Sequence, residues 1–502
     1  MRCLTPFTLA ALLDGIGATQ WPLARPGTSS DLHQPVREPT ASEERATQAD
    51  RFSKKKQDNR TCPTYGESQW TGTINVSKGH DLFYWFFESR SDPENDPIII
   101  WMNGGPGASS TLGLLDEIGP CWLLPRVNKA EPNPWSWNNN ASLLFLDQPA
   151  GAGLSHLEEG MPLAVREEDT AEDFQQFLNI FFTDVFPSKK YLPIHIAAES
   201  YGGHYGPVYL HHILESRRYG SKTAFWGRID SLILVDAVID FTGLFYGMYE
   251  LYCDNSREKE RSILNATACE HIALHLPELQ RLGDSCQLAY RESAECNAIW
   301  DFGQRHINAA YKDEVLAGRR HSQNIHKRSR CDPNMNWLDC EDPTAGNVTS
   351  YLNQDWVKKA LDKDPSYHFD LMGRRFWATF SQGALWKPTT KELVDVLEDY
   401  AAQKSVADVK LLVMNGNRDP LVTTPGSKWT YDRLRWREQA DFAVKKWKPL
   451  PLGLGATGEW KATSSGRLAM VTVDGAGHTL PGDAREAAYR ILEKWLASGW
   501  RM

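Results

Sequence analysis

Three side chains that could together perform acyl transfer each stand just beyond a short apolar run. Ser200 follows Ile194–Ala198 within Glu199-Ser200-Tyr201-Gly202-Gly203, and a helical pattern begins near Pro207. Strand, small residue, Ser, small residue, helix is the layout of a nucleophile elbow, where a tight turn lifts the hydroxyl above a sheet. Ala198 stands where the strict motif has its first Gly, and an ordinary Ser in a βα turn is the plainer reading of this string alone. A serine hydroxyl is a poor nucleophile until a base takes its proton, and that base must be oriented by a third group. The run Val409–Met414 leads into Asn415-Gly-Asn-Arg-Asp419-Pro, and Arg467–Val473 leads into Asp474-Gly-Ala-Gly-His478-Thr-Leu-Pro481. Taken singly, Asp419 is equally a turn-former before Pro420 and His478 a structural loop histidine. Their occurrence in the order Ser, Asp, His is harder to assign to chance.

Acyl transfer also needs donors for the developing oxyanion. The Tyr201 amide, directly after the serine, is one. The second is expected from the glycine-rich loop Trp101-Met-Asn-Gly-Gly-Pro-Gly-Ala-Ser-Ser110, whose glycines let backbone N–H groups approach a ligand. A phosphate-binding loop is the rival reading, but no G-K-[ST] follows. Metal catalysis has little support: Glu270-His271…His275 falls in an irregular stretch, and no H-E-x-x-H occurs. No metal or cofactor is expected.

These residues need a sheet that gathers its loops on one edge. Thr71–Val76 and Leu82–Glu88 have the pattern of paired strands around a Ser-Lys-Gly turn. Pro97–Met102, Ser142–Asp147, Pro193–Ala198, Ser231–Asp236, Val409–Met414 and Arg467–Val473 are short apolar runs, most of them separated by helix-length stretches such as Ala171–Phe186 and Thr390–Gln403. That alternation predicts an α/β fold with a mainly parallel sheet flanked by helices. It disappears between Phe241 and Asn347, which hold six cysteines and the basic pairs Arg319-Arg320 and Lys327-Arg328. The stretch reads as a disulfide-stapled cap inserted into one domain. The basic pairs are processing sites or, more simply, solvated charge.

The 502 residues carry a formal net charge of −9 and 41% hydrophobic residues, enough for a sizeable core. The acidic balance disfavours a nucleic-acid partner. Met1–Leu13 has the charged and apolar regions of a signal peptide (1–18), and the polar residues 19–60 read as a pro-region or disordered segment. The core then spans 61–240 and 348–502, around the cap at 241–347. No transmembrane helix or C-terminal lipid-anchor signal is expected. Cleavage would remove Cys3 and leave eight cysteines, an even set. With sequons at Asn59, Asn75, Asn140, Asn265 and Asn347, they point to the secretory pathway, extracellular or vacuolar.

Four ordered strings resemble serine carboxypeptidases. Trp101–Ser110 is similar to their W-x-N-G-G-P-G-x-S-S segment, and Leu146-Asp-Gln-Pro-Ala-Gly-Ala-Gly-Leu-Ser155 to L-D-Q-P-x-G-x-G-F-S. Glu199–Tyr205 resembles E-S-Y-x-G-x-Y, and Ala476–Pro481 resembles A-G-H-x-x-P. Gly119-Pro-Cys-Trp122 and Ser136-Trp-Asn-Asn139 are more similar to fungal S1-type members than to the yeast vacuolar type. The resemblance implies an α/β-hydrolase with a cap. It implies Ser200 as nucleophile, His478 as base and acid, and Asp419 as its orienter. The amides of Gly105 and Tyr201 would form the oxyanion hole. Asn103, Glu199 and the Gly104 amide, with Trp101 nearby, would hold the free C-terminal carboxylate of a peptide. Glu199 must then share a proton with that carboxylate, which implies an acidic working range.

The chain departs from the family in several places. Ala108 replaces a frequent Cys, so Cys62 is expected to pair with Cys121 and the other six cysteines within the insertion. Asn417, Val422, Thr423 and Thr479 also differ from common residues near the site. Two competing readings are an acyltransferase on the same fold and a catalytically silent secreted binding protein. Against the first, plant acyltransferases of the family often carry Asp before the nucleophile, where this chain has Glu199.

Overall fold

Every one of the six apolar runs is a strand. The computed structural model describes residues 51–124, 127–254, 262–288, 294–328, 343–380, 386–398, 409–452, 455 and 457–500. Strands β1 (Gln69–Ser77) and β2 (His80–Phe87) pair antiparallel around the expected turn. The runs form β3 (Ile98–Met102), β4 (Ser142–Leu146), β5 (Ile194–Glu199), β6 (Ile229–Val235) and β7 (Lys410–Gly416). Beyond them lie β8 (Gly458–Ala462), which the sequence pattern did not suggest, and β9 (Leu468–Val473). The main sheet has 12 strands, with these nine in the order β1-β2-β4-β3-β5-β6-β7-β9-β8. From β4 to β9 every pairing is parallel, so the ends of β3, β5, β6, β7 and β9 open onto one edge.

Side chains alternate across a strand, so these apolar runs feed two cores. Ile98, Ile100, Ile196, Leu232, Leu234 and Val413 pack with helices α1 (Glu167–Ile180) and α2 (Gly202–Arg218). Ile99, Ala197, Ile233, Val235, Leu412 and Met414 pack on the other face with Ile491, Leu492 and Trp495 of the C-terminal helix Arg485–Ser498. Each such Leu, Ile or Val contributes roughly 1.5–3 kcal/mol by leaving water.

The polar leader is shorter than expected. Lys55 and Lys56 pair with Thr71 and Trp70 at the sheet edge, and the Lys55 ammonium donates to the Ala360 carbonyl at 2.8 Å. Residues 51–60 thus belong to the fold. The expected signal peptide and the rest of the leader lie outside the described residues.

The insertion is helical rather than irregular. It contains α3 (Phe241–Cys253), α4 (Ala266–Leu288), α5 (Ala294–His306) and α6 (Ala309–Leu316). Disulfides join Cys253 to Cys269 and Cys286 to Cys296, and Cys62 pairs with Cys121 as expected. Cys331 and Cys340 lie outside the described residues. The sequons differ in surroundings: Asn59 and Asn265 are exposed, and Asn347 is partly buried. The Asn75 amide donates to Asp81, and Asn140 accepts from Tyr489. Among the described residues no helix is long and apolar enough to cross a membrane.

Candidate active site

At the end of β5 the backbone turns through Ser200, which adopts φ +60°, a left-handed conformation uncommon for a residue with a side chain. The turn is held because the Ser200 amide donates to the Val235 carbonyl at 3.1 Å and the Ser200 carbonyl accepts from Val238 and Gly203, each at 3.0 Å. A Cβ on Gly202 would come within 2.7 Å of the Ala198 Cβ. Ala198 therefore fits in place of the motif glycine because Gly202 leaves it room.

The elbow presents its hydroxyl to the base. Ser200 Oγ lies 2.9 Å from His478 Nε2, and His478 Nδ1 lies 2.8 Å from Asp419 Oδ2. Asp419 is fully buried and its Oδ1 accepts from the Leu421 amide at 2.7 Å. A carboxylate so placed holds the proton on Nδ1, leaving Nε2 free to accept the serine proton.

Asp236, at the end of β6, organises both loops and was not singled out from the sequence, where it closes an apolar run without a motif. Its Oδ1 accepts from the Gly416 amide at 2.7 Å, and its Oδ2 accepts from Leu480 at 3.3 Å. Burial, and then the charge of Asp419, push its pKa well above the usual carboxyl range. The His478 loop is pinned from the insertion too: the His478 amide donates to the Gln323 carbonyl at 2.8 Å, and Asn324 donates to Asp483 at 2.9 Å.

The early glycine loop packs directly on the elbow. A Cβ on Gly104 would meet the Tyr201 amide nitrogen at 2.3 Å, so only glycine allows this approach. Asp147, in the second motif, folds the loop by accepting from the Ser109 hydroxyl and from the Ser110 and Leu154 amides, each at 2.7 Å. Gly104, Gly105, Ser200 and Tyr201 line one cavity of about 320 Å³. The Tyr201 side chain is anchored away from it by a short hydrogen bond to Glu167.

Beside the elbow stand two buried carboxyls where the sequence suggested one. The Asn103 amide donates to Glu199 Oε2 at 2.6 Å and to Glu117 Oε1 at 3.3 Å, so one amide group holds both carboxyls. Glu117 comes from a π-helical turn, Gly113–Glu117, which carries no recognisable string. Burial, then the adjacent Glu117 charge, hold Glu199 well above the ordinary carboxyl range, and burial raises Glu117 as well. Raised in this way, both carboxyls favour their protonated forms over a wider pH range than a free carboxyl does. Trp101 plays a different part from the one expected: it is fully buried, and its indole N–H donates to Asn103 Oδ1 at 2.8 Å. It orients Asn103 instead of facing the cavity.

The remaining cavity wall is largely apolar: Leu244, Met248, Trp300, Met372, Trp377 and Leu421 contribute, with Gln304 among the polar members. Met372 and Trp377 come from a segment read as core, so the cap is built from two stretches of chain. Ala108, Val422 and Thr479, three of the departures from the family pattern, also line it. A larger cleft of about 1010 Å³, lined by His211, Gln280, Lys387 and Trp429, contains none of the Ser–His–Asp residues.

A mainly parallel sheet with an elbow serine, a histidine and an aspartate on its edge loops, and a helical cap above, defines an α/β-hydrolase. Residues 61–498 match the serine carboxypeptidase family, and the chain belongs to it: it is a serine-type carboxypeptidase. It is 32% identical over 437 residues to carboxypeptidase Y homolog A of Sclerotinia sclerotiorum, covering 85% of this chain and 72% of that one. It is 29% identical to carboxypeptidase Y of Schizosaccharomyces pombe, covering 85% of this chain and 41% of the relative. Among solved structures, Kex1(delta)p, a prohormone-processing carboxypeptidase from Saccharomyces cerevisiae, has the same fold. It gives a TM-score of 0.69 at 21% identity, covering 86% of this chain and 91% of that one.

Proposed function

We propose that this carboxypeptidase removes single residues from peptide C-termini through an acyl-enzyme on Ser200, and that it works best at acidic pH. The observation that carries this reading is the buried Glu117–Glu199 pair, held by Asn103 beside the Ser200–His478–Asp419 array, with both carboxyls raised above the ordinary range by burial. An ionised pair would repel a substrate's terminal carboxylate, whereas protonated carboxyls and the Asn103 and Gly104 donors hydrogen-bond to it.

With the carboxylate held there, the last peptide bond lies over Ser200. His478 Nε2 takes the hydroxyl proton as Oγ bonds to the carbonyl carbon. The amides of Gly105 and Tyr201 receive the oxyanion, and Asp419 balances the imidazolium. His478 then gives the proton to the leaving nitrogen, the C–N bond breaks and the amino acid departs. Water enters, His478 takes its proton, the hydroxide adds to the ester carbonyl, and collapse returns the proton to Ser200. The apolar wall formed by Leu244, Met248, Trp300 and Trp377 favours bulky uncharged side chains next to the scissile bond. The leader, sequons and disulfides support a secretory route to vacuole or medium.

Hydrolysis of a blocked dipeptide tests the reading. A free amino acid should be released, release should stop after labelling with a serine-directed phosphonate, and a C-terminal amide should be a far poorer substrate. Transfer to an added alcohol or amine without release would support an acyltransferase. Failure to label would support the silent scaffold. The measured Ser200→Ala rate should fall by on the order of 10⁴-fold or more.

A further inference from the structure

Helices α4 and α5 pack as a hairpin stapled near one end by Cys286–Cys296. At its open end the fold assembles three imidazoles that the sequence keeps apart. His271 and His275 lie four residues apart on one face of α4, and His306 ends α5. One potential ligand atom from each lies within 4.8 Å of the others. The His275 and His306 rings stack at 4.2 Å, and His271 lies 4.3 Å from His275.

Two further observations distinguish this cluster from a simple ring stack. His275 Nδ1 lies 2.8 Å from the His271 carbonyl, which fixes the ring and leaves Nε2 as its ligand atom. His306 Nδ1 is buried with no hydrogen-bond partner. The Cys253–Cys269 bridge also anchors the start of α4, two residues before His271.

We propose that His271, His275 and His306 bind a divalent transition metal, Zn²⁺ by its donor preference, clipping the open end of the cap hairpin. Three neutral imidazoles suit Zn²⁺, Cu²⁺ or Ni²⁺ and not Ca²⁺ or Mg²⁺, and water completes the shell. A tetrahedral Zn²⁺ with Zn–N bonds of about 2.0–2.1 Å needs its nitrogens roughly 3.3 Å apart, which small ring rotations can supply. The clip would sit on the helix whose Trp300 and Gln304 line the catalytic cavity. The role is structural and independent of the catalytic reading. It also departs from the sequence expectation of no metal, in which His271 and His275 lie in an irregular stretch, because His306 joins them only through folding.

The test uses the full chain, stripped with a chelator and blocked at Ser200 with a phosphonate so that the catalytic histidine is screened. Calorimetry with Zn²⁺ should give one site of about micromolar affinity or tighter, with Tm rising as the logarithm of free Zn²⁺. Co²⁺ should give the visible absorption of a nitrogen-ligated site. His275→Ala/His306→Ala should weaken Zn²⁺ at least tenfold, whereas His211→Ala, outside the cluster, should not. If the double variant is not secreted, His271→Asn at an exposed position carries the same test. Equal affinity in parent and variant, or no saturable binding, would establish that the rings only stack.

Discussion

At the scale of single residues, two buried carboxyls are held by one side-chain amide. Glu199 and Glu117 share Asn103, so replacing one should alter how binding responds to pH more than it alters the chemistry. The KM of a blocked dipeptide should rise with pH as carboxyls raised above the ordinary range ionise, whereas Glu199→Gln should flatten that rise. An unchanged slope in the variant, measured by steady-state kinetics, would remove Glu199 from carboxylate binding. Asp419→Asn keeps the side chain's shape but not its hold on the histidine tautomer. Its kcat should fall on the order of 10⁴-fold with Tm nearly unchanged. Ser200, Asp419 and His478 were legible because each follows an apolar run and sits in a loop with glycine. Glu117 was not: it meets Glu199 only in the folded chain, from a turn with no motif. Trp101 was legible as a neighbour of the site, but no pattern in the string reveals which way an indole points.

At the scale of elements, the sheet was legible and the cap was not, for one physical reason. A buried parallel strand is a short apolar run bounded by turn residues, and the chain spells this out six times. Helix α3 buries Phe241, Leu244, Phe245, Met248, Leu251 and Tyr252, so no polar face marks its period. Helix α4 contains Pro277, which reads in a sequence as a helix boundary, and this hides it in a different way. In the cap, Trp300 stacks on Trp386 at 4.1 Å, and Phe241 packs edge-on against both. Trp300→Ala should reduce kcat/KM about tenfold for substrates with an aromatic residue before the scissile bond, and much less for alanine there. Equal losses for both substrates would make Trp300 a support rather than a pocket wall. The Cys62–Cys121 bridge closes a loop with a sequence separation of 59. Replacing both cysteines with Ala should lower unfolding free energy by up to about 4 kcal/mol in denaturant titrations.

At the scale of the whole molecule, the buried acids set the pH at which the fold is most secure. Burial raises Asp147 to about 6 despite the hydrogen bonds it accepts. A folded-state pKa above the unfolded value gives stability that is complete below pH of about 4 and is lost as pH rises through about 6. At ~1.4 kcal/mol per pH unit, Asp147 alone contributes about 3 kcal/mol to that fall. Glu199, Glu117 and Asp236 act in the same direction. The acids whose pKa is lowered, such as Glu278 and Asp364, are exposed and oppose it weakly, whereas buried His195, pushed down to about 4, opposes it between about pH 4 and about pH 6.5 by about as much as Asp147 contributes. Tm should therefore drop between about pH 4 and about pH 7, with a shallower drop in Asp147→Asn. A level or rising calorimetric Tm would contradict this account.

The bond from the His478 amide to the Gln323 carbonyl has a mechanical corollary. Displacing the segment that carries Gln323 would break this bond and free the backbone of the base. The amide proton of residue 478 should exchange with deuterium no sooner than the insertion itself unfolds.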